Sequence, residues 1–565
     1  MTTATSDQGE AAEVAAALDM LLTQAALGPT RRFFPGKSSL RFAGALARRP
    51  HRVATRAGAL AAELGRIAFG ASQVAPSSGD RRFADPAWTQ NPGIRRVVQA
   101  YLAAGQTVDG LVQDVPMDWQ DAERVNFVAS NLVQALSPSN NPLLSPVAWK
   151  TLIDTGGASV VTGLRQLATD LASPPRVPSM VDADAYQVGK DLAVTPGAVV
   201  LRTPVLELVQ YRPQTPTVRV LPLLIVPPTI NKYYVLDLAP GRSLVEYLVR
   251  QGQQVFVVSW RNPDARHSTW GFDAYATAII KAVDAVAEIC GVDSAHVIAA
   301  CSGGILASIT AAHLATTGHQ DKLASLSLLV TMIDQSKAGT TGALIDETVA
   351  AAAVAKSQRK GYLDGRQLAE VFAWLRPGDL IWNYWVNNYL QGRKPPKFDI
   401  LFWNADTTRM TASLHRDFVN VAIRNSLAQP GGATVLDTEI DLGQILVDSY
   451  VVAGVADHIC PWQSCYRSSQ LLGGKTRFVL STSGHIAALV NPPGNAKASY
   501  QVSDDNSLDP QDWKRETRTE KGSWWDDYAA WLAARSGGEK PVPPAPGNRR
   551  LRVLDDAPGS YVLDK

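Results

Sequence analysis

The spacing of apolar residues along the chain changes near Pro196. From about residue 85 to residue 175, apolar side chains recur every three or four positions, as in AYLAAGQTVDGLV and VNFVASNLVQAL. This period is that of an amphipathic α-helix. The stretches SPSNNP and DTGGAS interrupt it with helix-breaking residues. We therefore predict a flexible N-terminus over residues 1–30 and a mainly helical N-terminal domain over residues 31–195.

Beyond Pro196, short runs dense in Val, Ile and Leu alternate with helical segments. Continuous apolar runs of this length are typical of strands that are buried on both faces of a parallel sheet. The runs are VLPLLIVPP at 220–228, VFVVSW at 255–260, HVIAA at 296–300, LSLLV at 326–330, SYVVAG at 449–454 and FVLST at 478–482. The intervening SLVEYLVRQG and FDAYATAIIKAVDAVAEIC predict crossover helices. We assign residues 196–565 to this α/β domain.

One segment breaks the alternation of strands and helices. The strand ending near Val330 and the strand beginning near Ser449 are separated by far more residues than a crossover needs. We predict an inserted cap subdomain at about 335–440. Its large aromatic residues fit either a lid over a substrate channel or the insertion's own core. They are Trp374, Trp382, Tyr384, Trp385, Tyr389, Phe398, Phe402 and Trp403.

Composition and charge narrow the class of protein. Hydrophobic residues make up 46% of the chain and charged residues 19%, which suits a large folded core. The formal net charge of +2 favours neither nucleic acid nor an anionic membrane as a partner. The sequence contains no signal-peptide pattern and no apolar run of about 18 residues that would predict a transmembrane segment. Four cysteines without C-x-x-C spacing fit a reducing compartment, so we expect a cytoplasmic protein.

The segment HVIAACSGGILASITAAHL places Cys301 between a strand and a helix. This is the pattern of a nucleophile elbow, with cysteine where serine usually stands, and it predicts the α/β-hydrolase fold. Strand and helix crowd such a turn, so the residues two positions away must be small, as Ala299 and Gly303 are. The N-terminus of the helix favours a thiolate at Cys301. The alternative is a buried structural cysteine in a glycine-rich turn.

Two later strand ends supply an acid and a base in the order that this fold requires. Asp457 follows SYVVAG, and His485 follows FVLST. We predict a catalytic triad in which His485 is the general base for Cys301 and Asp457 orients the imidazole ring. His458 is a rival base because it adjoins Asp457, but a neighbour in sequence usually points elsewhere.

Oxyanion donors are expected from two loops. One donor is the backbone amide of Ser302. The other comes from PPTINKYY, where the amide of Thr229 or Ile230 is available and the two prolines have no N–H. The remaining cysteines do not lie at a strand-to-helix turn, and we expect Cys290, Cys460 and Cys465 to be inert. We expect no cofactor and no metal ion.

A cysteine nucleophile favours transfer from a thioester donor. A serine ester lies at lower free energy than a thioester, whereas an acyl-cysteine keeps the acyl group activated for an oxygen acceptor. A transferase must also exclude water, and an aromatic insertion is suited to that task. Hydrolysis by the same three residues is the alternative.

Longer segments of the chain resemble the polyhydroxyalkanoate synthases, which make bacterial storage polyesters. In the helical domain they are DRRFADPAWTQNPGIRRVVQAYLA and SPSNNPLLSPVAWKTLIDTGGASVVTGLR. In the α/β domain they include PPTINKYYVLDLAPGRSLVEYLV, ACSGG, RPGDLIWNYWVNNYL, FDILFWNADTTRM, ADHICPWQSCYRS and SGHIAALVNPPGNAKA. The resemblance runs from about residue 80 to the end and is to the single-subunit synthases of class I or II.

The resemblance implies an acyltransferase that polymerises (R)-3-hydroxyacyl-CoA thioesters into polyester and releases coenzyme A. The family's nucleophile, acid and base fall on Cys301, Asp457 and His485. The resemblance further implies a growing polyester chain as acceptor, a homodimer, residence on polyester granules and contact with other granule proteins. It leaves the preferred monomer length open. A thioesterase or polyester depolymerase is the alternative enzyme, and a granule-binding protein without turnover is the alternative from another class.

Overall fold

The computed structural model of the protein describes residues 37–336, 347–375, 377–457 and 459–565. His458, the rival base, lies outside the described residues, as does the predicted flexible N-terminus. Contacts divide the chain into two compact units. Within the described part, a helical unit contains residues 37–182 and 366–397, and an α/β unit contains residues 183–365 and 398–565.

The domain boundaries that we drew from the sequence stay predictions. The helical unit combines most of the predicted N-terminal domain, 31–195, with residues 366–397 of the predicted insertion, 335–440. The rest of the described insertion belongs to the α/β unit. The predicted insertion is continuous in sequence, but its residues therefore belong to two different units.

The segments with predicted helical periodicity form helices, and the described residues contain further helices. In the first region they are α1 Lys37–Ala47, α2 Pro50–Ala68, α3 Ala87–Gln90, α4 Pro92–Gln113, α5 Trp119–Ala135, α6 Pro146–Asp154 and α7 Ala158–Ala172. The later ones are α8 Leu244–Arg250, α9 Phe272–Cys290, α10 Ser302–Thr316, α11 Glu347–Lys360, α12 Gly365–Leu375, α13 Asp399–Ala405, α14 Ala412–Arg424, α15 Trp462–Ser469, α16 His485–Leu489, α17 Pro510–Glu516 and α18 Trp524–Ala533. No helix in the described ranges is both long and apolar enough to cross a bilayer.

Local sequence explains where several helices begin. The side chain of Asn91 accepts hydrogen bonds from the amides of Gly93 and Ile94 at the start of α4. Ser145 accepts one from the amide of Ala148 at the start of α6. A proline at the first position follows each of these caps, where its missing N–H costs nothing.

The strands of the described residues form one large sheet and three short pairs. They are β1 Gly197–Arg202, β2 Leu206–Tyr211, β3 Thr217–Arg219, β4 Leu223–Val226, β5 Val255–Trp260, β6 Ala295–Ala300, β7 Leu323–Leu329, β8 Tyr362–Leu363, β9 Met410–Thr411, β10 Thr434–Val435, β11 Thr438–Glu439, β12 Ser449–Gly454, β13 Thr476–Ser481, β14 Ser499–Ser503, β15 Thr519–Lys521, β16 Glu539–Pro541 and β17 Asp555–Asp556. The large sheet has the order β15-β14-β13-β12-β7-β6-β4-β5-β2-β1-β17.

The predicted α/β fold is confirmed. The six apolar runs form β4, β5, β6, β7, β12 and β13, which pair in parallel at the centre of the sheet. Every residue of β4, β5, β6 and β12 is buried. The outer pairs are antiparallel. Because the central strands are parallel, their carboxyl ends meet at one edge, where ligands bind in sheets of this kind.

The aromatic residues of the insertion divide between the two units. In the helical unit, Trp374, Trp382, Trp385 and Tyr389 form a series of edge-to-face ring contacts. In the α/β unit, Phe402 packs edge to face on Tyr186. The first group therefore fits the interpretation of an internal core.

Candidate active site

Cys301 lies between the end of β6 and the start of α10, as the elbow pattern predicts. Its φ of 51° and ψ of −123° are unusual for a residue with a side chain, and such strain costs about 1–3 kcal/mol. The surrounding structure holds this conformation, because the Cys301 amide donates to the carbonyl of Leu329 at 2.9 Å. The Cys301 carbonyl accepts from the amide of Gly304 at 2.9 Å.

The turn after Cys301 has no room for larger residues. A Cβ atom on Gly303 would lie 2.2 Å from the carbonyl oxygen of Pro227. A Cβ atom on Gly304 would lie 2.0 Å from Oγ1 of Thr331. The requirement for a small residue at position 303 is therefore confirmed, and its cause is the loop after β4.

Asp457 and His485 face each other beyond the ends of β12 and β13. Nδ1 of His485 donates to Oδ2 of Asp457 at 2.7 Å. The other carboxylate oxygen accepts from the amides of Ile459 at 2.8 Å and Cys460 at 2.9 Å. Because these bonds fix the carboxylate, the His485 ring is held in one orientation with Nε2 available to the site.

Backbone contacts join the two loops that carry this pair. Val455 donates to the carbonyl of Ser481 at 2.8 Å, and Ala456 donates to the carbonyl of Ser483 at 3.1 Å. A Cβ atom on Gly454 would lie 2.4 Å from the carbonyl oxygen of Ser483. This close approach brings Asp457 within reach of His485.

A sulfur cluster lies where the two loops meet the elbow. The sulfur atoms of Cys301 and Cys460 and a ring nitrogen of His485 all lie within 4.8 Å of one another. All three side chains are buried, with Cys301 5% and His485 6% exposed. The structure thus brings together Cys301, His485 and Asp457. It also brings in Cys460, which the sequence did not single out.

The surroundings shift the pKa values of His485 and Cys301, which face each other. Burial disfavours a charge on the ring, but the Asp457 carboxylate and the contact with Cys301 prevail and raise the pKa of His485 to about 10. The Cys460 side chain and burial raise the pKa of the Cys301 thiol, although contact with His485 opposes the rise. Both shifts favour the protonated form of each group, so the surroundings of Cys301 do not support the thiolate that the helix N-terminus predicted.

The predicted oxyanion donors lie on adjoining loops. The amide of Ser302 is the first of α10, and the first four amides of a helix have no partner within it. The amide of Thr229 donates to Oγ of Ser302 at 3.0 Å. Ile230 is the next residue of the same loop and is buried. Because the Thr229 amide is engaged, we propose the Ile230 amide as the second donor.

Part of the insertion packs on this loop within the α/β unit. Nε1 of Trp403 donates to the carbonyl of Lys232 at 2.7 Å. Oγ1 of Thr408 donates to the carbonyl of Thr229 at 3.2 Å. Trp403 and Thr408 therefore fix the loop that follows β4.

Sequence reasoning missed two features of the site. It did not predict that the Cys460 sulfur lies beside Cys301, although Cys460 follows Asp457 by only three positions and its amide donates to that carboxylate. It also used only the amide of Ser302, whereas the hydroxyl links the elbow to the loop after β4. The nearness of Cys460 to Asp457 was the one available signal.

Comparisons with known proteins agree with this architecture. A family model described as the N-terminus of poly-beta-hydroxybutyrate polymerase matches residues 79–248, and a model of the alpha/beta hydrolase fold matches residues 222–492. Poly(3-hydroxyalkanoate) polymerase 1 of Ectopseudomonas oleovorans is 45% identical over 89% of this chain and 90% of its own length. The poly(3-hydroxyalkanoate) polymerase subunit PhaC of Cupriavidus necator is 40% identical over 88% of this chain and 85% of its own length.

Proposed function

Because this chain belongs to the poly-beta-hydroxybutyrate polymerase family, we propose that it polymerises (R)-3-hydroxyacyl groups from coenzyme A thioesters through an acyl-Cys301 intermediate. The observation that carries this proposal is a cysteine at a nucleophile elbow beside a histidine that Asp457 orients at 2.7 Å. An acyl-cysteine is a thioester, so the acyl group stays activated after coenzyme A leaves.

Acylation of Cys301 is the first step. His485 accepts the thiol proton, and the thiolate attacks the thioester carbonyl of the substrate. The amides of Ser302 and Ile230 donate hydrogen bonds to the developing oxyanion. When the carbon–sulfur bond to coenzyme A breaks, the imidazolium of His485 returns the proton to the departing thiolate.

Ester formation is the second step. His485 removes the proton from a hydroxyl of the growing chain or of the next monomer. The resulting oxygen nucleophile attacks the acyl-Cys301 carbonyl, the carbon–sulfur bond breaks, and Cys301 takes the proton back from His485. The cap residues 399–411 support polymer formation over hydrolysis, since water must be excluded while the acyl-enzyme waits for its acceptor.

We also propose a homodimer that resides on cytoplasmic polyester granules. Support comes from exposed apolar residues on the helical unit. On α6, Trp149 is 45% and Ile153 is 73% exposed; on α7, Val161 is 66% and Leu164 is 61% exposed. Such side chains lie three or four positions apart, so each helix presents them on one face. Exposed apolar surface of this kind marks contact with protein or lipid-like material.

The decisive experiment measures both products of the reaction. Purified protein is given 3-hydroxybutyryl-CoA or 3-hydroxyoctanoyl-CoA, and released coenzyme A and polymer are quantified. The wild type is expected to yield high-molecular-weight polyester, and Cys301→Ala to lose coenzyme A release by about 10³-fold or more. The control is Cys290→Ala, because the sulfur of Cys290 contacts Gln254 and not the triad. Undiminished release by Cys301→Ala contradicts the mechanism, and free hydroxy acid as the sole product indicates a thioesterase or depolymerase.

A further inference from the structure

Cys460 is a buried nucleophilic side chain that the proposed acyl transfer does not use. Its sulfur lies within 4.8 Å of both the Cys301 sulfur and a ring nitrogen of His485. Cys460 is 0% exposed, so these three side-chain atoms, each of which could bind a metal ion, lie inside the protein.

The composition of this cluster is that of a zinc site. Two cysteines and one histidine form a known set of protein ligands around tetrahedral zinc, with a fourth position open to water. Zinc–sulfur bonds of about 2.3 Å and zinc–nitrogen bonds of about 2.0 Å place such ligand atoms roughly 3.5–4 Å apart. Ligand atoms that already lie within 4.8 Å need only a small contraction.

The histidine is held as a metal ligand requires. Nδ1 of His485 donates to Asp457, which leaves Nε2 as the nitrogen facing the two sulfur atoms. Asp457 is itself fixed by the amides of Ile459 and Cys460. A carboxylate that orients the ring and increases its basicity is the usual outer partner of a zinc-bound histidine.

We propose that Cys301, Cys460 and His485 bind a thiophilic divalent cation such as Zn²⁺, and that this binding and acylation of Cys301 exclude each other. Two thiolates neutralise the cation, so the buried complex carries no large net charge. Each thiol releases its proton when the metal binds. The metal occupies the sulfur lone pair and the ring nitrogen that acyl transfer needs, and the result is a reversibly inhibited enzyme.

The metal site depends only on the positions of its three ligands, whereas inhibition by the metal rests on the proposed function. Cys460 separates the two, because it is a ligand of the metal but takes no step in acyl transfer. Because both thiols lose a proton when the metal binds, the affinity for the metal is expected to rise with pH.

The first experiment detects the metal without measuring activity. Full-length protein is titrated with Cd²⁺, and the ultraviolet absorption of thiolate-to-cadmium charge transfer is recorded. The wild type and the control Cys290→Ser are expected to show the band with saturation at one cation per chain. Cys460→Ser and Cys460→Ala are expected to lose most of the absorbance and to bind at least about tenfold more weakly, since even loss of an outer hydrogen-bond partner costs about 10–100-fold. An undiminished band in both Cys460 variants overturns the site.

The second experiment measures coenzyme A release against Zn²⁺ concentration, relative to the uninhibited rate of each variant. The wild type and Cys290→Ser are expected to be inhibited reversibly, with recovery on addition of a chelator. Inhibition of either folded Cys460 variant at the wild-type Zn²⁺ concentration overturns the proposal. If Cd²⁺ binds through Cys460 but Zn²⁺ leaves the rate unchanged, the mutual exclusion of metal binding and acylation is overturned, whereas undiminished coenzyme A release by Cys301→Ala overturns the proposed function itself.

Discussion

The hydroxyl oxygen of Ser302 accepts a hydrogen bond from the backbone amide of Thr229 at 3.0 Å, and the two hydroxyls lie 3.1 Å apart. Ser302 follows Cys301, the proposed nucleophile, and Thr229 belongs to the loop that we propose supplies the second oxyanion donor. One side chain therefore links the elbow to the oxyanion loop. This link joins the two segments that carry the amides of Ser302 and Ile230.

Removal of this hydroxyl tests its role in positioning the loop. Ser302→Ala leaves the buried Thr229 amide without its acceptor, which costs about 1–3 kcal/mol. We expect kcat for coenzyme A release to fall by about tenfold while KM changes little, because the donors act on the transition state. Ser308→Ala is the matched control, since its hydroxyl bonds only to Gly304 of its own helix. A change confined to KM would argue against a role in oxyanion stabilisation.

The charge of Asp457 is expected to control the proton affinity of His485. Asp457→Asn removes the carboxylate that raises the pKa of His485 to about 10. Without it, burial dominates and the pKa of His485 falls. We expect kcat to drop by about 10⁴-fold, as in other triads that lose this charge. The pH profile of the residual rate shifts to lower pH if Asp457 acts through His485, and an unshifted profile would indicate a merely structural role.

The same pair makes stability depend on pH in a defined direction. His485 holds its proton more tightly in the folded protein, so the stabilisation is complete below its ordinary pKa of 6.5 and is lost as pH rises toward about 10. In that window, the free energy of unfolding falls by about 1.4 kcal/mol per pH unit for one such group. In urea unfolding, we expect the free energy of unfolding of the wild type to exceed that of Asp457→Asn by the largest margin near pH 6.5. A difference that does not vary with pH would contradict this coupling.

The elbow is expected to reject even one extra methyl group. In Gly303→Ala the new Cβ would lie 2.2 Å from the carbonyl oxygen of Pro227. Because backbone must move to relieve this clash, we expect a loss of about 1–3 kcal/mol in stability and of most activity. Gly538→Ala is the control, since its Cβ would meet nothing within 4 Å. Equal melting temperatures for the two variants would show that the turn is more adaptable than its contacts indicate.

The cap segment is expected to govern access to the Cys301 thiol. Trp403→Phe removes the hydrogen bond to the Lys232 carbonyl, worth about 0.5–1.5 kcal/mol, and keeps an aromatic ring. We expect iodoacetamide to alkylate Cys301 faster in this variant than in the wild type. The rate is measured by mass spectrometry of the labelled peptide. Cys465 serves as an internal reference because it is buried on α15. Equal acceleration at both cysteines would indicate general loosening of the α/β unit.

The parallel sheet, and the meeting of Cys301, Asp457 and His485 at one edge of it, could be predicted from local sequence. The strands β4, β5, β6, β7, β12 and β13 are apolar at nearly every position, because both faces of a central parallel strand are buried. Cys301, Asp457 and His485 each follow such a strand. Since parallel strands end at one edge, order along the chain was enough to predict that these residues come together.

The division of the insertion could not be predicted in the same way. Trp382 and Trp403 look alike in sequence, yet one packs among aromatic residues of the helical unit and the other bonds to the loop after β4. Aromatic residues favour burial in any environment of suitable shape. Sequence therefore indicated that these side chains are buried but not which surface covers them.

The sequence by itself determined the order of strands and turns and which residues form the predicted triad, because these depend on residue types and spacings within short segments. Only the tertiary structure decided that Cys460 adjoins Cys301 and that Ser302 bonds to Thr229. These contacts join segments that lie far apart in the chain. Their distances depend on how separate loops pack at one edge of the sheet, and no local pattern of side chains encodes that packing.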